Sequence, residues 1–291
     1  MMRLLWLSAL ACNGNAHALL NYPGFKVWQK EFEWLYHPLL PSEYSFKEVE
    51  KGMAEGCDVL LVDGTLEEGY VKYRRPYMEL LEHYGKQAHH IVTVGTCATF
   101  GGIFAQGGKG RSGLHFRGDE RLDIFKNFWQ KSISLPGCPV QPEVLAGTLS
   151  LLKRKTDIPL DPLRRPKYYY AYTVHDGCIR NEYFEYKIDE HRFGRLEGCM
   201  FYDHGCQGTY THGSCNKILW NGLGSKTRNG QPCMGCTEPD FPKENLWQTP
   251  KHMGIPARMP LGVPRRAYLS LAGIAKAFRI ERFYTPLMKE E

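Results

Sequence analysis

Three of the ten cysteines in this 291-residue chain each follow a short apolar segment that is typical of a buried β-strand. The pairs are segment 3–10 with Cys12, segment 90–96 with Cys97, and segment 132–137 with Cys138. A further strand is predicted at 58–64, and helical segments lie between the strands. Strands that alternate with helices predict an α/β fold with a parallel sheet wound by helices on both faces. Since ligands bind beyond the carboxyl ends of such strands, we expect the three thiols to meet at that edge of the sheet.

The helical segments predicted from the sequence are 45–56, 75–85 and 141–155. Beyond them, residues 156–168 contain three prolines and are interpreted as a linker. The sequence therefore predicts two domains, 1–160 and 161–291. The second has little apolar periodicity but carries six cysteines between residues 178 and 236. Bound metal would supply the order that a hydrophobic pattern does not, since the free energy of metal binding becomes free energy of folding.

Composition narrows the classes of function. A chain of this length needs no disulfides to fold, so ten cysteines favour metal ligation over a secreted disulfide framework. The net charge of +6 is spread over the chain without a nucleic-acid-binding motif, and a nucleic-acid partner is not expected. No apolar run reaches the roughly 18 to 20 residues of a membrane span, so no direct membrane insertion is expected. The apolar N-terminal run is interpreted as the first strand of a cytoplasmic protein, with any peripheral membrane association made through partners.

The cysteines of the second half lie in glycine-rich segments together with one histidine in an H-x-x-C context. These residues are His175, Cys178, Cys199, Cys206, Cys215, Cys233 and Cys236. Cysteines in irregular loops suit thiolate ligation of iron–sulfur clusters, because backbone N–H groups must approach the sulfurs closely. Zinc stays open on spacing alone, since Cys233-x-x-Cys236 with Cys215 and one further ligand would suit a zinc ribbon.

The order of the motifs is more specific than any one of them. The chain resembles the small, electron-transferring subunit of nickel–iron hydrogenases, and the likeness extends over nearly its whole length. The matching motifs, in chain order, are "LWLSALACNGN", "VGTCATFGGI", "LPGCPVQPE", "HDGC", "GCMFYDHGCQG", "CNKILWN" and "PCMGCTEPDFP". The resemblance implies a flavodoxin-like N-terminal domain with a proximal iron–sulfur cluster. It also implies a C-terminal domain with medial and distal clusters.

Carried over residue by residue, the resemblance implies three ligand sets. The proximal set is Cys12, Cys97 and Cys138; the medial set is Cys215, Cys233 and Cys236; the distal set is His175, Cys178, Cys199 and Cys206. Three thiolates suit the three-iron, four-sulfide (3Fe-4S) cluster that the family often has at the medial site. The distal cluster is expected to be of the 4Fe-4S type with one histidine ligand.

The proximal motif departs from the family pattern. Where the family has C-x-x-C, this chain has Asn15 in place of the second cysteine. An amide oxygen is a hard, neutral donor and a poor substitute for thiolate on iron. The proximal cluster is therefore expected to be either 3Fe-4S or a 4Fe-4S cluster with an unusual ligand, for which Asn15 and Cys57 are considered. Asp63, where relatives commonly carry Glu, is considered for a role beside the cluster. The alternative roles are a helix N-cap for Asn15, a buried apolar thiol for Cys57 and a solvated turn carboxylate for Asp63.

The resemblance implies an uptake-type electron relay. Hydrogen would be split at the nickel–iron centre of a separate large subunit, and electrons would leave through three clusters of this chain to a protein or quinone acceptor. Heterodimers are expected to form a higher-order assembly, and the chain alone is expected to be inactive. Two alternatives stay open: the small subunit of a hydrogen-sensing regulatory hydrogenase, and an iron–sulfur subunit of a respiratory-complex type of assembly.

Overall fold

A computed structural model describes residues 1–72, 74–243, 247–260 and 262–277. The chain divides into two compact units. The first contains Met1–Ala171, Trp220–Gly222 and Cys236–Pro242, and the second contains Tyr172–Leu219, Leu223–Gly235 and Lys243–Glu291. The domains predicted from the sequence, 1–160 and 161–291, were defined by the clusters that each would bind. Their boundary therefore stays a prediction.

A five-stranded parallel sheet forms the centre of the first unit. Its strands are β1 (Met2–Ser8), β2 (Phe32–Tyr36), β3 (Val59–Asp63), β4 (His90–Val94) and β5 (Ser132–Leu135). They lie in the order β5-β4-β3-β1-β2, which is the flavodoxin-like order. The predicted fold class, a flavodoxin-like doubly wound sheet, is thus confirmed. The strand order reverses between β1 and β3, so the binding crevice of such a sheet is expected beyond the carboxyl ends of these two strands.

Helices cover both faces of the sheet, and short ladders lie in the loops. The helices of the first unit are α1 (Gly14–Leu20), α2 (Phe25–Trp28), α3 (Phe46–Glu50), α4 (Tyr77–Gln87), α5 (Gly95–Phe100), α6 (Gly102–Ala105), α7 (Pro142–Lys153) and α8 (Lys167–Tyr170), with 3₁₀ turns at Gln29–Glu31 and Lys126–Lys131. Its antiparallel two-residue ladders are Leu66–Glu67 with Arg111–Ser112, Val71–Lys72 with Arg75–Pro76, and Phe116–Arg117 with Glu120–Arg121.

Alternating side chains of the strands feed two separate hydrophobic clusters, one on each face. Leu4 and Trp6 of β1 belong to the cluster that contains α1 and α7 residues, whereas Leu5 and Leu7 belong to the cluster that contains α4 residues. Strands buried on both faces are expected to be apolar throughout, and all five residues of β3 are buried. This continuous burial explains why four of the five strands were predictable as apolar runs.

The strand β2 was not predicted. Its sequence, Phe32-Glu33-Trp34-Leu35-Tyr36, contains a charged residue and follows a 3₁₀ turn without a glycine. It lies at the edge of the sheet, paired only with β1, so one side of its backbone needs no partner strand. An edge strand can carry the half-exposed Glu33 that a central strand would exclude.

The interpretation of residues 156–168 as a linker is wrong. Arg165 is buried and forms ion pairs with Asp161 at 2.7 Å and Glu238 at 3.2 Å. The backbone N–H of Ser134 in β5 donates to the carbonyl of Arg164, so the segment extends the hydrogen bonding of the sheet edge. The prolines correctly indicated the end of the preceding helix. The ion pairs of Arg165 and the hydrogen bond to Arg164 nevertheless make residues 156–168 part of the first unit.

The second unit contains little regular structure. Its described elements are a 3₁₀ turn at His175–Gly177, helix α9 (Asn181–Glu185), a ladder of Lys251–His252 with Ile255–Pro256, and helix α10 (Arg265–Ala277). A small hydrophobic cluster joins Cys199, Phe201, Tyr210 and Tyr268, the last from α10. Over the described ranges, no helix has the length and apolar character needed to cross a membrane.

Candidate functional site

The structure places the predicted proximal cysteines beyond the carboxyl ends of strands. Cys12 lies in the exposed loop after β1, Cys97 in α5 directly after β4, and Cys138 in the loop after β5. A Cβ atom on Gly14 would lie 3.2 Å from Cys12 Sγ and 3.8 Å from Pro139 Cβ, so the loops after β1 and β5 meet. The predicted position of these thiols at one edge of the sheet is therefore what the fold produces.

Cys97 lies tightly against the turn between α5 and α6. A Cβ atom on Gly102, whose φ is +53°, would approach Cys97 Sγ to 2.8 Å. The absence of a side chain there leaves room at the sulfur, and φ in the left-handed region also favours glycine. Burial raises the pKa of the Cys97 thiol, and the charges of Asp63 and Cys12 contribute in the same direction.

Asn15 holds three elements together at the switch point of the sheet. Its Nδ2 donates to Asp63 Oδ1 at 2.7 Å and to the carbonyl of Val94 at 3.1 Å, while its Oδ1 accepts from the N–H of Val140 at 2.8 Å. The proposed role of Asn15 as a helix N-cap is wrong, because Asn13 occupies that position. The amide of Asn15 is engaged by protein groups at both polar atoms, so iron ligation by it would break this arrangement.

Asp63, the last residue of β3, is not a solvated turn carboxylate. It is only 1% exposed, and burial raises its pKa to about 6 despite the hydrogen bond from Asn15. Its second oxygen, Oδ2, has no hydrogen-bond partner in the part of the chain that the structure describes. A carboxylate oxygen of this kind, at the carboxyl end of β3, is a hard anionic donor.

Cys57 lies at the amino ends of the strands, opposite the proximal cysteines. It precedes β3, whereas the proximal cysteines follow the carboxyl ends of their strands. Its side chain is 2% exposed within the hydrophobic cluster that contains α4 residues, and burial raises its pKa to about 12. The interpretation of Cys57 as a buried apolar thiol therefore holds, and the idea that it replaces the missing proximal ligand is wrong.

The predicted distal ligands line one cavity in the second unit. The cavity is small and partly enclosed. Its lining includes His175, Cys178, Cys199 and Cys206. His175 begins the 3₁₀ turn His175–Gly177, and Cys178 follows this turn directly. Cys199 and Cys206 lie in a separate loop. The loops of this unit thus bring together residues that lie up to 31 positions apart in the sequence.

Backbone N–H groups point at the sulfurs of this cavity. The N–H groups of Arg180, Phe201 and Cys233 donate to the Sγ atoms of Cys178, Cys199 and Cys206, each at 3.4 Å. Burial raises the pKa of both the Cys199 and the Cys206 thiol to about 12 and lowers that of the His175 imidazole. A bound cation would stabilise thiolates that burial alone disfavours, and N–H donors to sulfur are what an iron–sulfur cluster requires.

Arg180 also lines this cavity, and sequence analysis did not single it out. Its side chain is 2% exposed, although it follows Cys178 by only two residues in a loop. The sequence "HDGCIRN" shows a cation near the H-x-x-C motif but gives no sign that it is buried. Only the surrounding loops, distant in sequence, reveal that burial.

The predicted medial cysteines are divided between the two units. Cys215 and Cys233 belong to the second unit, and Cys236 belongs to the first. Their grouping into one site therefore stays a prediction. Over the described ranges, no three Cys, His, Asp or Glu side chains are placed to hold a single metal ion. Ligands of different irons in one cluster need not lie as close together as ligands of one ion.

Two family descriptions match this chain. The family described as "NADH ubiquinone oxidoreductase, 20 Kd subunit" matches residues 12–152, and the C-terminal family of the NiFe/NiFeSe hydrogenase small subunit matches residues 170–247. The first match spans strands β2 to β5 and the three loops with Cys12, Cys97 and Cys138. The second spans all the residues predicted as distal ligands.

Individual proteins give the same result. The periplasmic [NiFe] hydrogenase small subunit of Solidesulfovibrio fructosivorans is 33% identical over 169 residues, which is 57% of this chain and 51% of the relative. The uptake hydrogenase small subunit of Azotobacter vinelandii is 30% identical over 176 residues, 57% of this chain and 46% of the relative. The chain spans about half the length of these curated relatives. An actinobacterial-type NiFe-hydrogenase from Ralstonia eutropha H16 superposes with a TM-score of 0.74 at 26% identity, covering 95% of this chain and 90% of that one.

The chain combines a flavodoxin-like sheet, which has cysteines at its carboxyl edge, with a loop-rich unit that has a cavity lined by cysteines and a histidine. Together these features define a class of cluster-binding redox subunit. Within that class, the C-terminal family match, the curated relatives and the solved structure share one group. That group is the small subunits of NiFe hydrogenases, to which this chain is similar.

Proposed function

We propose that this chain is the electron-transfer subunit of an uptake-type NiFe hydrogenase, an oxidoreductase whose hydrogen chemistry takes place in a separate large subunit. The observation that carries the proposal is the cavity lined by His175, Cys178, Cys199 and Cys206, with N–H groups aimed at the three sulfurs. When bound, iron–sulfur clusters would take up and release electrons one at a time.

The ligand sets follow from the sequence resemblance. We propose that Cys12, Cys97 and Cys138 hold the proximal cluster, Cys215, Cys233 and Cys236 a medial 3Fe-4S cluster, and the four cavity residues a distal 4Fe-4S cluster. The proximal cluster is of the 3Fe-4S type, or of the 4Fe-4S type with a donor other than cysteine. Asn15 then acts by fixing the loop, and Asp63 Oδ2 is the donor left unpaired beside it.

The residues of this chain would set the properties of each site. At the distal site, the neutral imidazole of His175 in place of a fourth thiolate removes one negative charge and favours the reduced cluster. The N–H groups on sulfur stabilise the same reduced, more negative state. At the proximal site, Asn15 fixes the Cys12 loop relative to β3 and β4 through its hydrogen bonds.

The exposed Cys12 loop indicates where the large subunit would bind. Cys12 is exposed, and Ile103, which follows the turn that contacts Cys97, is 57% exposed. We propose that this edge is covered by the large subunit through an apolar interface well above ~2,000 Å², as in obligate complexes. Such an interface would exclude water from the proximal cluster. The acceptor, a protein or a quinone, and the assembly of heterodimers into a larger complex are part of the same proposal.

The location that we propose is the cytoplasm, with any membrane contact made through partners. The name of the Solidesulfovibrio relative describes that protein as periplasmic. Detection of this chain in cell fractions with a matched cytoplasmic marker would test the location directly.

One alternative has an observation in its favour. The match of residues 12–152 to a respiratory NADH:ubiquinone oxidoreductase subunit supports a respiratory-complex type of assembly for the first unit. The match of residues 170–247 to the hydrogenase family favours the hydrogenase assignment, because that segment contains every distal ligand. A hydrogen-sensing small subunit would share both units and differ in the partner that receives the signal.

Metal analysis and activity together test the proposal. Anaerobically purified protein should contain about ten or eleven iron atoms per chain, for three- or four-iron proximal sites, together with acid-labile sulfide. Hydrogen-dependent dye reduction should require co-expression with a large subunit. Zinc in place of iron would refute the cluster assignment, and hydrogen oxidation by the isolated chain would refute the relay.

A further inference from the structure

Arg180 is a buried cation that has no carboxylate partner among the residues that the structure describes. Its guanidinium donates from Nε to the carbonyl of Thr227 at 2.9 Å and from Nη1 to the carbonyl of Gly198 at 2.6 Å. Further donors reach the carbonyls of Glu197 and Arg195. No carboxylate lies within 4.0 Å of the guanidinium in the described part of the chain, so carbonyl dipoles alone solvate it.

Arg165 provides an internal comparison. It is buried to a similar extent, 4% exposed against 2% for Arg180, but it forms ion pairs with two carboxylates, Asp161 and Glu238. A buried charge is costly unless it is paired or densely hydrogen-bonded. Carbonyl dipoles carry only partial negative charge, so a counter-charge beside the guanidinium would stabilise it further.

The cavity supplies such a counter-charge when its cysteines ligate metal. Arg180 lines the same cavity as Cys178, Cys199 and Cys206, and its own N–H donates to Cys178 Sγ. Three thiolates and bridging sulfides give a cluster net negative charge. A cluster held by these residues would gain one electron on reduction, supplied by the preceding cluster of the relay, and would become one unit more negative. A fixed positive charge nearby stabilises that reduced state more than the oxidised one.

We propose that Arg180 is the built-in counter-ion of the distal cluster and raises its reduction potential, a role that rests on the function proposed above. Arg180 is a positioning and electrostatic residue, since its side chain makes no bond to iron. Together with the neutral His175, it makes the distal site the electron-accepting end of the chain. The four carbonyls hold the guanidinium in place, so its charge acts from a fixed position.

The test uses the complete, cluster-loaded complex and measures the midpoint potential of the distal cluster by EPR-monitored redox titration. Arg180→Gln removes the charge, and Arg180→Lys keeps it while losing the planar fork. We expect the potential to fall in Arg180→Gln and to return most of the way to the wild-type value in Arg180→Lys. Arg192→Gln removes an exposed cation from the same unit and should leave the potential nearly unchanged, because solvent screens that charge.

Equal shifts in the Gln and Lys variants, or none in the Gln variant, would overturn the proposal. Equal loss of distal iron from both variants would also overturn it, since the guanidinium would then serve only to clamp the loops.

Failure of the underlying function gives a different result. If the wild-type complex lacks iron and sulfide at the distal site, or shows no distal EPR signal, the cluster assignment itself fails. If the wild-type signal is present and titrates normally while Arg180→Gln leaves it unchanged, only the role of Arg180 fails.

Discussion

Asn15→Ala tests the role of the residue that replaces a family cysteine. The substitution removes one hydrogen bond from each of three buried groups: Asp63 Oδ1, the carbonyl of Val94 and the N–H of Val140. A buried polar group that loses its partner costs about 1–3 kcal/mol, and partial access of water to the new space reduces the sum. We therefore expect the free energy of unfolding to fall by about 3–5 kcal/mol.

Scanning calorimetry of anaerobic, cluster-loaded protein measures this effect. For a unit of this size, about 1 kcal/mol shifts the melting temperature by roughly 2–4 °C, so Asn15→Ala should melt at least about 6 °C below the wild type. The matched control is Asn13→Gly in the same loop. Asn13 is exposed with φ of +60° and makes no capping bond, and glycine accepts that conformation, so its melting temperature should change little.

Asn15→Cys separates the structural role from a ligand role. If a thiolate at this position binds iron, the iron content should rise by about one atom and the proximal potential should fall. If the position is structural only, iron content stays constant and the protein loses stability as Asn15→Ala does. A melting temperature of Asn15→Ala within about 2 °C of the wild type would refute the hydrogen-bond reasoning.

Three further predictions concern other residues. Gly95→Ala should destabilise the protein, because its Cβ would lie 2.3 Å from Asn15 Nδ2 at a φ of +85°, and thermal melting measures this. His175→Cys should retain distal iron but lower the distal potential, whereas His175→Ala should lose iron, as metal analysis and EPR can show. Burial between Trp6 and Trp34 lowers the pKa of His37 from 6.5 to about 3, so it is neutral in the folded state, and stability is lost as pH falls from about 6.5 towards 3. His37→Asn should reduce that loss by up to about 1.4 kcal/mol per pH unit in denaturant titrations, and an unchanged slope would contradict the assignment.

The sequence predicted the central strands well because burial on both faces makes them uniformly apolar. It also predicted that Cys12, Cys97 and Cys138 would share an edge, since a parallel sheet places the ends of its strands together. The edge strand β2 was missed because an exposed edge relaxes the pattern. The polar segment around Arg165 was misread for a related reason: its order comes from ion pairs, which no local pattern reveals.

The site was predictable only as a set of ligands. The H-x-x-C motif and the later cysteines indicated the distal cavity residues, and the structure brings them together. The partners of Asn15 lie 48, 79 and 125 positions away, so its role could not be read from the neighbouring sequence. The burial of Arg180 depends in the same way on carbonyls from residues 195–198 and 227.

The scarcity of regular structure in the second unit bears on how the protein is made. Before α10, the described helices and turns of this unit are no longer than the five residues of α9, and its apolar cluster is small. A newly synthesised chain without iron would therefore have a folded sheet and a loosely ordered remainder, open to proteases. Delivery of clusters would then act as a quality check: only a loaded chain would persist long enough to meet its partner. Limited proteolysis before and after reconstitution would show cleavage confined to residues beyond 171 and suppressed by iron and sulfide.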